Sequence, residues 1–225
     1  ALDLNEQGKI IWKYEPKQDP SVIAVMCCDT VNRGLSYADG MVFLSQADTT
    51  VVALDAKTGE PKWSHKVGDP AIGETLTATT MPVKDKLMVG ISGGEYGVRG
   101  YVAAYDAESG EQAWRTFMIP GPGEPGHDTW QNGWETGGGS VWLTGHYDPE
   151  LNLAYWGTGN AAPWMGDARP GDNLHTTSVV ALDPDTGAIK DAHQYHWNDS
   201  WDWDEVSAPI LVDIQRDGRT IKGMV

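Results

Sequence analysis

Two aspartates stand two positions apart in the run Trp201-Asp202-Trp203-Asp204. In an extended segment, residues i and i+2 point to the same side, so Asp202 and Asp204 could face one point in space. Two carboxylates that converge require a cation, a shared proton or open water around them. Taken alone, the pair is more typical of a polar turn on an acidic surface, so other residues must decide between these interpretations.

The two cysteines of the chain, Cys27 and Cys28, are adjacent to each other. Adjacent cysteines cannot join distant segments of a fold. They can form a strained ring disulfide, bind a metal ion or remain two buried thiols. In a cytosolic protein two free thiols would be the expected state, and the position of the pair in the fold has to decide.

Composition and charge exclude several classes of function. Hydrophobic residues make up 40% of the 225 residues and charged residues 21%, which is typical of a globular protein. The net charge is −16, from 16 basic and 32 acidic residues. This balance argues against nucleic acid or an anionic membrane as a partner, and it favours cations and a basic protein partner.

A recurring unit organises the chain: a short apolar run that ends in Asp, a turn that contains Gly, and then a Trp. The glycines Gly8, Gly59 and Gly110 are spaced 51 residues apart, and Gly187 follows after 77. Glycine supplies the positive φ that a hairpin turn needs, and Asp can accept hydrogen bonds from nearby backbone. A Trp at a fixed place in each unit can pack into the next unit. The corresponding Trp positions are Trp12, Trp63 and Trp114, with Asp191 in the fourth unit.

A unit of about 50 residues suits a four-stranded blade, so the sequence predicts an all-β protein built as a β-propeller. Residues 1–225 are predicted to be part of a single propeller domain with about four blades' worth of strands. Four such units are too few to close a ring comfortably, which indicates a larger propeller. The chain opens at Ala1-Leu2-Asp3 in the middle of a unit, so we expect a mature or truncated piece. No apolar run approaches the roughly 20 residues of a membrane span, and no signal peptide is expected in this piece.

Four stretches depart from the blade pattern in ways that a scaffold does not require: 26–34, 92–100, 156–164 and 198–204. They contain Met-Cys-Cys-Asp, Ser-Gly-Gly-Glu, Gly-Thr-Gly-Asn and Trp-Asp-Trp-Asp, respectively. In this order, with the tryptophan units between them, they resemble the quinoprotein alcohol dehydrogenases. This is the methanol/ethanol dehydrogenase family that uses pyrroloquinoline quinone (PQQ), and the resemblance covers nearly the whole chain. It implies an eight-bladed propeller.

The resemblance implies a clamp for a flat cofactor. Cys27 and Cys28 would form a disulfide against one face of the quinone, and Trp142 would stack on the other face. Without the resemblance, Trp142 is one more blade tryptophan. Arg33 would pair with carboxylate or carbonyl oxygens of the cofactor, whereas Arg99 is more typical of a surface ion pair. The remaining implied cofactor contacts are Thr77, Ser92, Gly93, Gly94 and Ser140.

The resemblance also implies a metal site. Glu95, Asn160 and Asp202 match the oxygen ligands that the family uses to hold a cation against the quinone. Asp204 stands where calcium-type members usually carry a small neutral residue and lanthanide-type members carry Asp. Three carboxylates balance a trivalent ion and exceed the charge of a divalent one. We therefore expect a lanthanide ion, with Ca²⁺ as the alternative.

The activity implied is oxidation of a primary alcohol to the aldehyde, with Asp202 as the base. Electrons would pass to a soluble cytochrome c, and the expected location is the bacterial periplasm, where a disulfide persists. A homodimer is a further expectation. The family's upstream glutamate and its downstream basic residue, which both contact the quinone, lie outside these residues. We therefore expect that the isolated chain does not form a competent site.

Two other interpretations remain open. A non-catalytic propeller scaffold, like the outer-membrane assembly lipoproteins, would share the tryptophan units, but it has no need for the cysteine pair, Glu95, Asn160 or the acid pair. The membrane-bound glucose and polyol quinoproteins lack adjacent cysteines, so Cys27 and Cys28 argue against that branch.

Overall fold

The computed structural model describes residues 1–205 and 207–225. In these residues sixteen strands form three four-stranded sheets and two two-stranded ribbons. Every strand pairs with its neighbours in an antiparallel manner, and each four-stranded sheet follows chain order. The strands are β1 (Leu2–Asp3), β2 (Lys9–Ile10), β3 (Ser36–Ala38), β4 (Met41–Ser45), β5 (Thr50–Asp55), β6 (Pro61–Lys66), β7 (Met81–Val83), β8 (Lys86–Gly90), β9 (Tyr101–Asp106), β10 (Gln112–Phe117), β11 (His146–Asp148), β12 (Leu153–Gly157), β13 (Ser178–Leu182), β14 (Ile189–Gln194), β15 (Leu211–Arg216) and β16 (Arg219–Met224). The predicted all-β class is confirmed.

Short helical turns connect the strands, and all of them are 3₁₀ in type. They are Pro20–Val25, Pro70–Ile72, Gly94–Tyr96, His127–Thr129, Trp134–Thr136 and Gly166–Ala168. Among the described residues, none of these helices has the length and apolar character needed to cross a membrane.

The tryptophans join neighbouring blades, as the repeat predicts. The indole Nε1 of Trp63 donates to the carbonyl of Ala107, in the turn of the next unit, at 3.0 Å. Trp114 donates in the same way to Pro184, also at 3.0 Å, and the first ribbon follows the same rule through Trp12. Each acceptor is the residue after the Asp that ends the third strand or directly follows it, so the repeat places one inter-blade hydrogen bond per unit.

The turn glycine is required by this docking. Gly187 has φ +76°, and a Cβ at this position would lie 2.5 Å from the ring of Trp114. Any other residue would meet both an unfavourable backbone conformation and the indole. The aspartate before the turn also stabilises it. The carboxylate of Asp183 accepts hydrogen bonds from the backbone N–H groups of Asp185 and Thr186 at 2.9 and 3.3 Å.

The core lies between the sheets. Alternate residues of a strand point to opposite faces, and in β8 Leu87 and Val89 pack towards the β3–β6 sheet while Met88 packs towards the β11–β14 sheet. Both faces of the middle sheet are therefore buried. This explains why its strands are continuous apolar runs and not alternating ones.

The candidate site lies at one edge of the stacked sheets. In an antiparallel meander, the start of the first strand and the end of the second lie at the same edge. The segments that precede β3, β7, β11 and β15, and those that follow β8 and β12, therefore meet there. The tryptophan-docking turns between the third and fourth strands lie at the opposite edge.

Candidate functional site

Residues far apart in sequence line one cavity of about 150 Å³ at this edge. Of the residues predicted for the site, all but Gly94 and Asn160 line it. Val31 and Thr75 also line it and were not predicted, although each stands two positions before a predicted residue, Arg33 or Thr77, and could share its side of an extended segment. The lining residues are Cys27, Cys28, Val31, Arg33, Thr75, Thr77, Ser92, Gly93, Glu95, Ser140, Trp142, Asp202 and Asp204.

Cys27 and Cys28 form a disulfide with each other, as the resemblance implies. They follow the 3₁₀ helix Pro20–Val25, whose first turn is capped by the carboxylate of Asp19. Cys28 and Asp29 both have positive φ, of 68° and 73°. Both cysteines of the disulfide line the cavity.

The tryptophan on the cavity wall is held by polar neighbours. The hydroxyl of Thr77 lies 2.8 Å from that of Ser92 and donates to the carbonyl of Trp142 at 3.2 Å. The backbone N–H of Arg33 donates to the carbonyl of Thr77 at 3.1 Å, and its guanidinium lies 4.5 Å from the centroid of the Trp142 ring. Arg33, Thr77, Ser92 and Trp142 thus form one connected group although as many as 109 positions separate them.

Glu95 is presented by a tight turn. It lies in the 3₁₀ helix Gly94–Tyr96, which Gly93 and Gly97 cap in the left-handed conformation. A Cβ on Gly93, where φ is +114°, would lie 2.1 Å from the carbonyl oxygen of Gly73, so only glycine fits. A Cβ on Gly94 would lie 3.1 Å from the hydroxyl of Ser140. This backbone can therefore approach the cavity closely and carry Glu95 to its rim.

Asp204 is the most constrained acid of the cavity. Its Oδ2 accepts the indole N–H of Trp142 at 3.1 Å, and its Oδ1 accepts the backbone N–H of Asn160 at 2.5 Å. Burial raises the pKa of Asp204 to about 6, and the carboxylates of Asp202 and Glu95 contribute in the same direction, whereas the two hydrogen bonds act to lower it. A cation bound beside Asp204 would favour its charged form against the burial and the two neighbouring carboxylates.

Asn160 contacts Asp204 through its backbone N–H. It is 1% exposed, its backbone carbonyl accepts the N–H of Gly139, and its side-chain Nδ2 donates to the carbonyl of Ala161. Its Oδ1 is buried and has no hydrogen-bond partner among the described residues. A buried amide oxygen without a donor is costly, and it is a suitable ligand for a hard cation.

The spacing of Asp202 and Asp204 suggested an extended segment, but the structure does not place the pair on a strand. Asp202 has φ of 65°, so the segment turns at this residue. Both side chains nevertheless line the cavity. Within 1–205 and 207–225, no three His, Cys, Asp or Glu side chains are gathered into a metal-binding cluster. Glu95, Asp202 and Asp204 therefore line one cavity, but they do not by themselves form a closed coordination sphere.

Arg99 differs from the surface ion pair that the sequence suggested. It pairs with Glu124 at 3.3 Å, but its guanidinium also lies over the rings of Phe117 and Trp134, at 4.1 and 4.9 Å from their centroids. Its Nε donates to the carbonyl of Ile119 at 2.8 Å. Arg99 therefore fastens the Gly- and Pro-rich loop 121–126 to the sheet and does not reach the cavity.

The fold and the cavity define a class of protein: a propeller with a cavity at one edge that a disulfide, an indole and three carboxylates line. Residues 1–225 match the model of the family "PQQ: Glucose/ethanol/alcohol dehydrogenase, beta-propeller domain", and the chain belongs to this family. The membership confirms the resemblance drawn from the four sequence stretches. It favours the dehydrogenase interpretation over the scaffold.

Relatives and solved structures agree with this assignment. The lanthanide-dependent methanol dehydrogenase of Methylorubrum extorquens is 52% identical over 97% of this chain and 40% of its own length. The methanol dehydrogenase (cytochrome c) subunit 1 of Paracoccus denitrificans is 43% identical over 94% of this chain and 37% of its own. The structure of a europium-containing methanol dehydrogenase superposes with a TM-score of 0.93 at 40% identity, covering 99% of this chain and 42% of that one. The chain spans about 40% of the length of the curated relatives it matches.

Proposed function

We propose that the protein containing this chain oxidises a primary alcohol of the methanol/ethanol class to the aldehyde with PQQ and a lanthanide ion. The observation that carries the proposal is that Glu95, Asp202 and Asp204 line the same cavity as the Cys27–Cys28 disulfide and Trp142. The similarity to a lanthanide-dependent and to a europium-containing methanol dehydrogenase supports it.

The residues present fit a planar, anionic cofactor. The disulfide and Trp142 would bound its two faces, and the guanidinium of Arg33 beside the indole would pair with its oxygens. The hydroxyls of Thr77 and Ser92 already bond to each other at 2.8 Å and can turn towards a ligand. The remaining cofactor contacts proposed are Gly93, Gly94 and Ser140.

The residues also fit a hard cation. Glu95, Asn160, Asp202 and Asp204 would hold it, since carboxylate and amide oxygens are the ligands that such ions prefer. The unpaired Oδ1 of Asn160 supports this role. Three negative charges in one cavity favour a trivalent ion over Ca²⁺.

Asp202 is proposed as the base that takes the hydroxyl proton of the alcohol. Unlike Asp204, whose carboxylate is bonded to Trp142 and to the backbone of Asn160, the exposed Asp202 can reach a substrate at the mouth of the cavity. The quinone, when bound, would supply the hydride acceptor, and the metal ion would supply a Lewis acid beside it. The disulfide and the indole would restrict water on the two sides of the reacting groups.

The proposal extends to the electron acceptor and the location. A soluble cytochrome c is the proposed acceptor, supported by the name of a similar protein and by the net charge of −16, which suits a basic partner. The periplasm is the proposed location, because a disulfide persists there. A homodimer stays a prediction, which light scattering of the full-length protein would check.

The test is reconstitution of the full-length protein with PQQ and either La³⁺ or Ca²⁺. Turnover of methanol and ethanol is followed with an artificial electron acceptor. We expect turnover that requires PQQ and is supported by La³⁺. Turnover without quinone would contradict the assigned chemistry, and turnover with Ca²⁺ alone would contradict the choice of ion.

A further inference from the structure

One buried guanidinium connects the chain segments that follow Asn160 and precede Asp202, two of the three segments that carry the proposed metal ligands. We infer that Arg169 and Asp199 are positioning residues, which hold the segment after Asn160 and the segment before Asp202 in fixed register. This inference rests on the proposed function. It concerns residues that would touch neither the metal nor the quinone.

Arg169 is fully buried and binds both segments at once. Its Nε donates to the carbonyl of Pro163 at 2.7 Å, and Pro163 stands three positions after Asn160. One terminal nitrogen donates to the carbonyl of Asp199, three positions before Asp202. The planar fork of arginine fixes the directions of these bonds together, which a lysine cannot do.

Asp199 continues the connection towards the acid pair. It is 1% exposed, and its two carboxylate oxygens accept the backbone N–H groups of Trp201 and Trp203, each at 2.9 Å. These two donors bracket Asp202, whose φ of 65° is unusual for a residue other than glycine. The carboxylate of Asp199 therefore stabilises the turn that aims Asp202 into the cavity.

Two asparagines satisfy the remaining polar groups of the network. Asn173 is fully buried. Its Oδ1 accepts a hydrogen bond from the second terminal nitrogen of Arg169 at 2.6 Å, and its Nδ2 donates to the carbonyl of Arg169 at 3.0 Å. The side chain of Asn198 donates to the carbonyls of Arg169 and Gly171. A buried charge is tolerated only when it is compensated and fully hydrogen-bonded. Arg169 meets this condition, since the negative charge of Asp199 acts to raise its pKa against the lowering effect of burial.

The network reaches the ligands but not the cavity. Neither Arg169 nor Asp199 lines it, so their effect on an ion must act through the backbone positions of Asn160 and Asp202. Residues that orient metal ligands in this way typically change metal affinity by 10–100-fold when they are replaced.

The experiment measures metal binding and not turnover. In the full-length protein, Asp199→Asn and Arg169→Lys are titrated with Tb³⁺, and its luminescence is sensitised by the nearby tryptophans. The number of water molecules on bound Eu³⁺ is read from its emission lifetimes in H₂O and D₂O. The matched control is Asp148→Asn, because Asp148 is also buried and also accepts two turn N–H groups, at 2.8 and 3.1 Å, but lies at the opposite edge.

We expect both variants to bind Tb³⁺ roughly 10–100-fold more weakly, to leave more water on Eu³⁺, and to retain the near-UV circular dichroism of the wild type. The control should bind as the wild type does. Wild-type affinity and wild-type lifetimes in Asp199→Asn would overturn the inference. If Arg169→Lys does not fold, Asp199→Asn alone decides, since it leaves Arg169 in place. A wild-type protein that binds no Tb³⁺ would instead contradict the proposed function, and the inference with it.

Discussion

Replacing Asp204 with alanine removes one of the three carboxylates that line the cavity and leaves Glu95 and Asp202 in place. At an effective dielectric constant of about 20, a carboxylate about 4 Å from an ion gains about 4 kcal/mol for each unit of the ion's charge. A trivalent ion carries one unit more than a divalent ion. Asp204 therefore favours a lanthanide over Ca²⁺ by up to about 4 kcal/mol, or ~10³-fold.

Part of this preference is offset by the greater cost of dehydrating a trivalent ion, so the expected loss of selectivity in Asp204→Ala is ~10–1,000-fold. The assay is competition of Ca²⁺ against Tb³⁺ luminescence in the full-length protein. Asp204→Asn separates charge from size, because it removes the charge and keeps most of the volume. Asp191→Ala is the control, since it makes the same change in net charge on β14, outside the cavity. An unchanged Tb³⁺ to Ca²⁺ preference in Asp204→Ala would refute the charge argument.

Three further outcomes follow from the structure. Trp142→Ala should weaken PQQ binding by at least ~3–10-fold, the worth of one aromatic stacking contact, as measured by absorbance titration of the quinone. Gly187→Ala should destabilise the fold by about 2–4 kcal/mol in urea, because the new Cβ meets both a positive φ and the ring of Trp114. Gly218→Ala, at φ +71° with open space around it, should cost only the backbone share of about 1–2 kcal/mol; equal losses in the two variants would contradict the docking argument. Burial lowers the pKa of His175 below its ordinary 6.5, so the unfolded chain binds the extra proton first, and the free energy of unfolding should fall as pH drops from about 6.5 towards the folded pKa. Urea unfolding between pH 7 and pH 5 checks this, and a His175→Gln variant with an equally steep slope would show that the loss arises elsewhere.

The blades could be predicted because their determinants are local or periodic. A hairpin needs its glycine and aspartate within a few positions, and an indole docks one unit further on, so the same spacing recurs wherever the geometry recurs. The contact of Trp114 with the turn at Gly187 confirms that a tryptophan packs into the next unit, even across the longer interval of 77 residues. The alternation of Leu87 and Met88 between two cores follows from strand geometry alone.

The candidate site was predictable only in part, for a physical reason. Motifs such as Cys27-Cys28 mark short segments, and the family resemblance identifies which of the 11 tryptophans belongs with them. Nothing local indicates that Arg169 would bind the carbonyl of a residue 30 positions away, or that Arg99 would lie between two aromatic rings. Such contacts depend on the approach of loops that the propeller brings together, and they leave no spacing pattern. The turn at Asp202 is set locally by Asp199, three positions earlier, but a single aspartate at that spacing carries no motif from which the turn could be predicted.

The central claim is that Glu95, Asn160, Asp202 and Asp204 hold one ion in the cavity between the disulfide and Trp142. Crystals of the full-length protein grown with PQQ and Eu³⁺, measured at the europium absorption edge, locate that ion directly. We expect one strong anomalous peak within about 2.3–2.6 Å of oxygens from these four side chains. A europium peak elsewhere, with the four side chains directed away from it, would contradict the account.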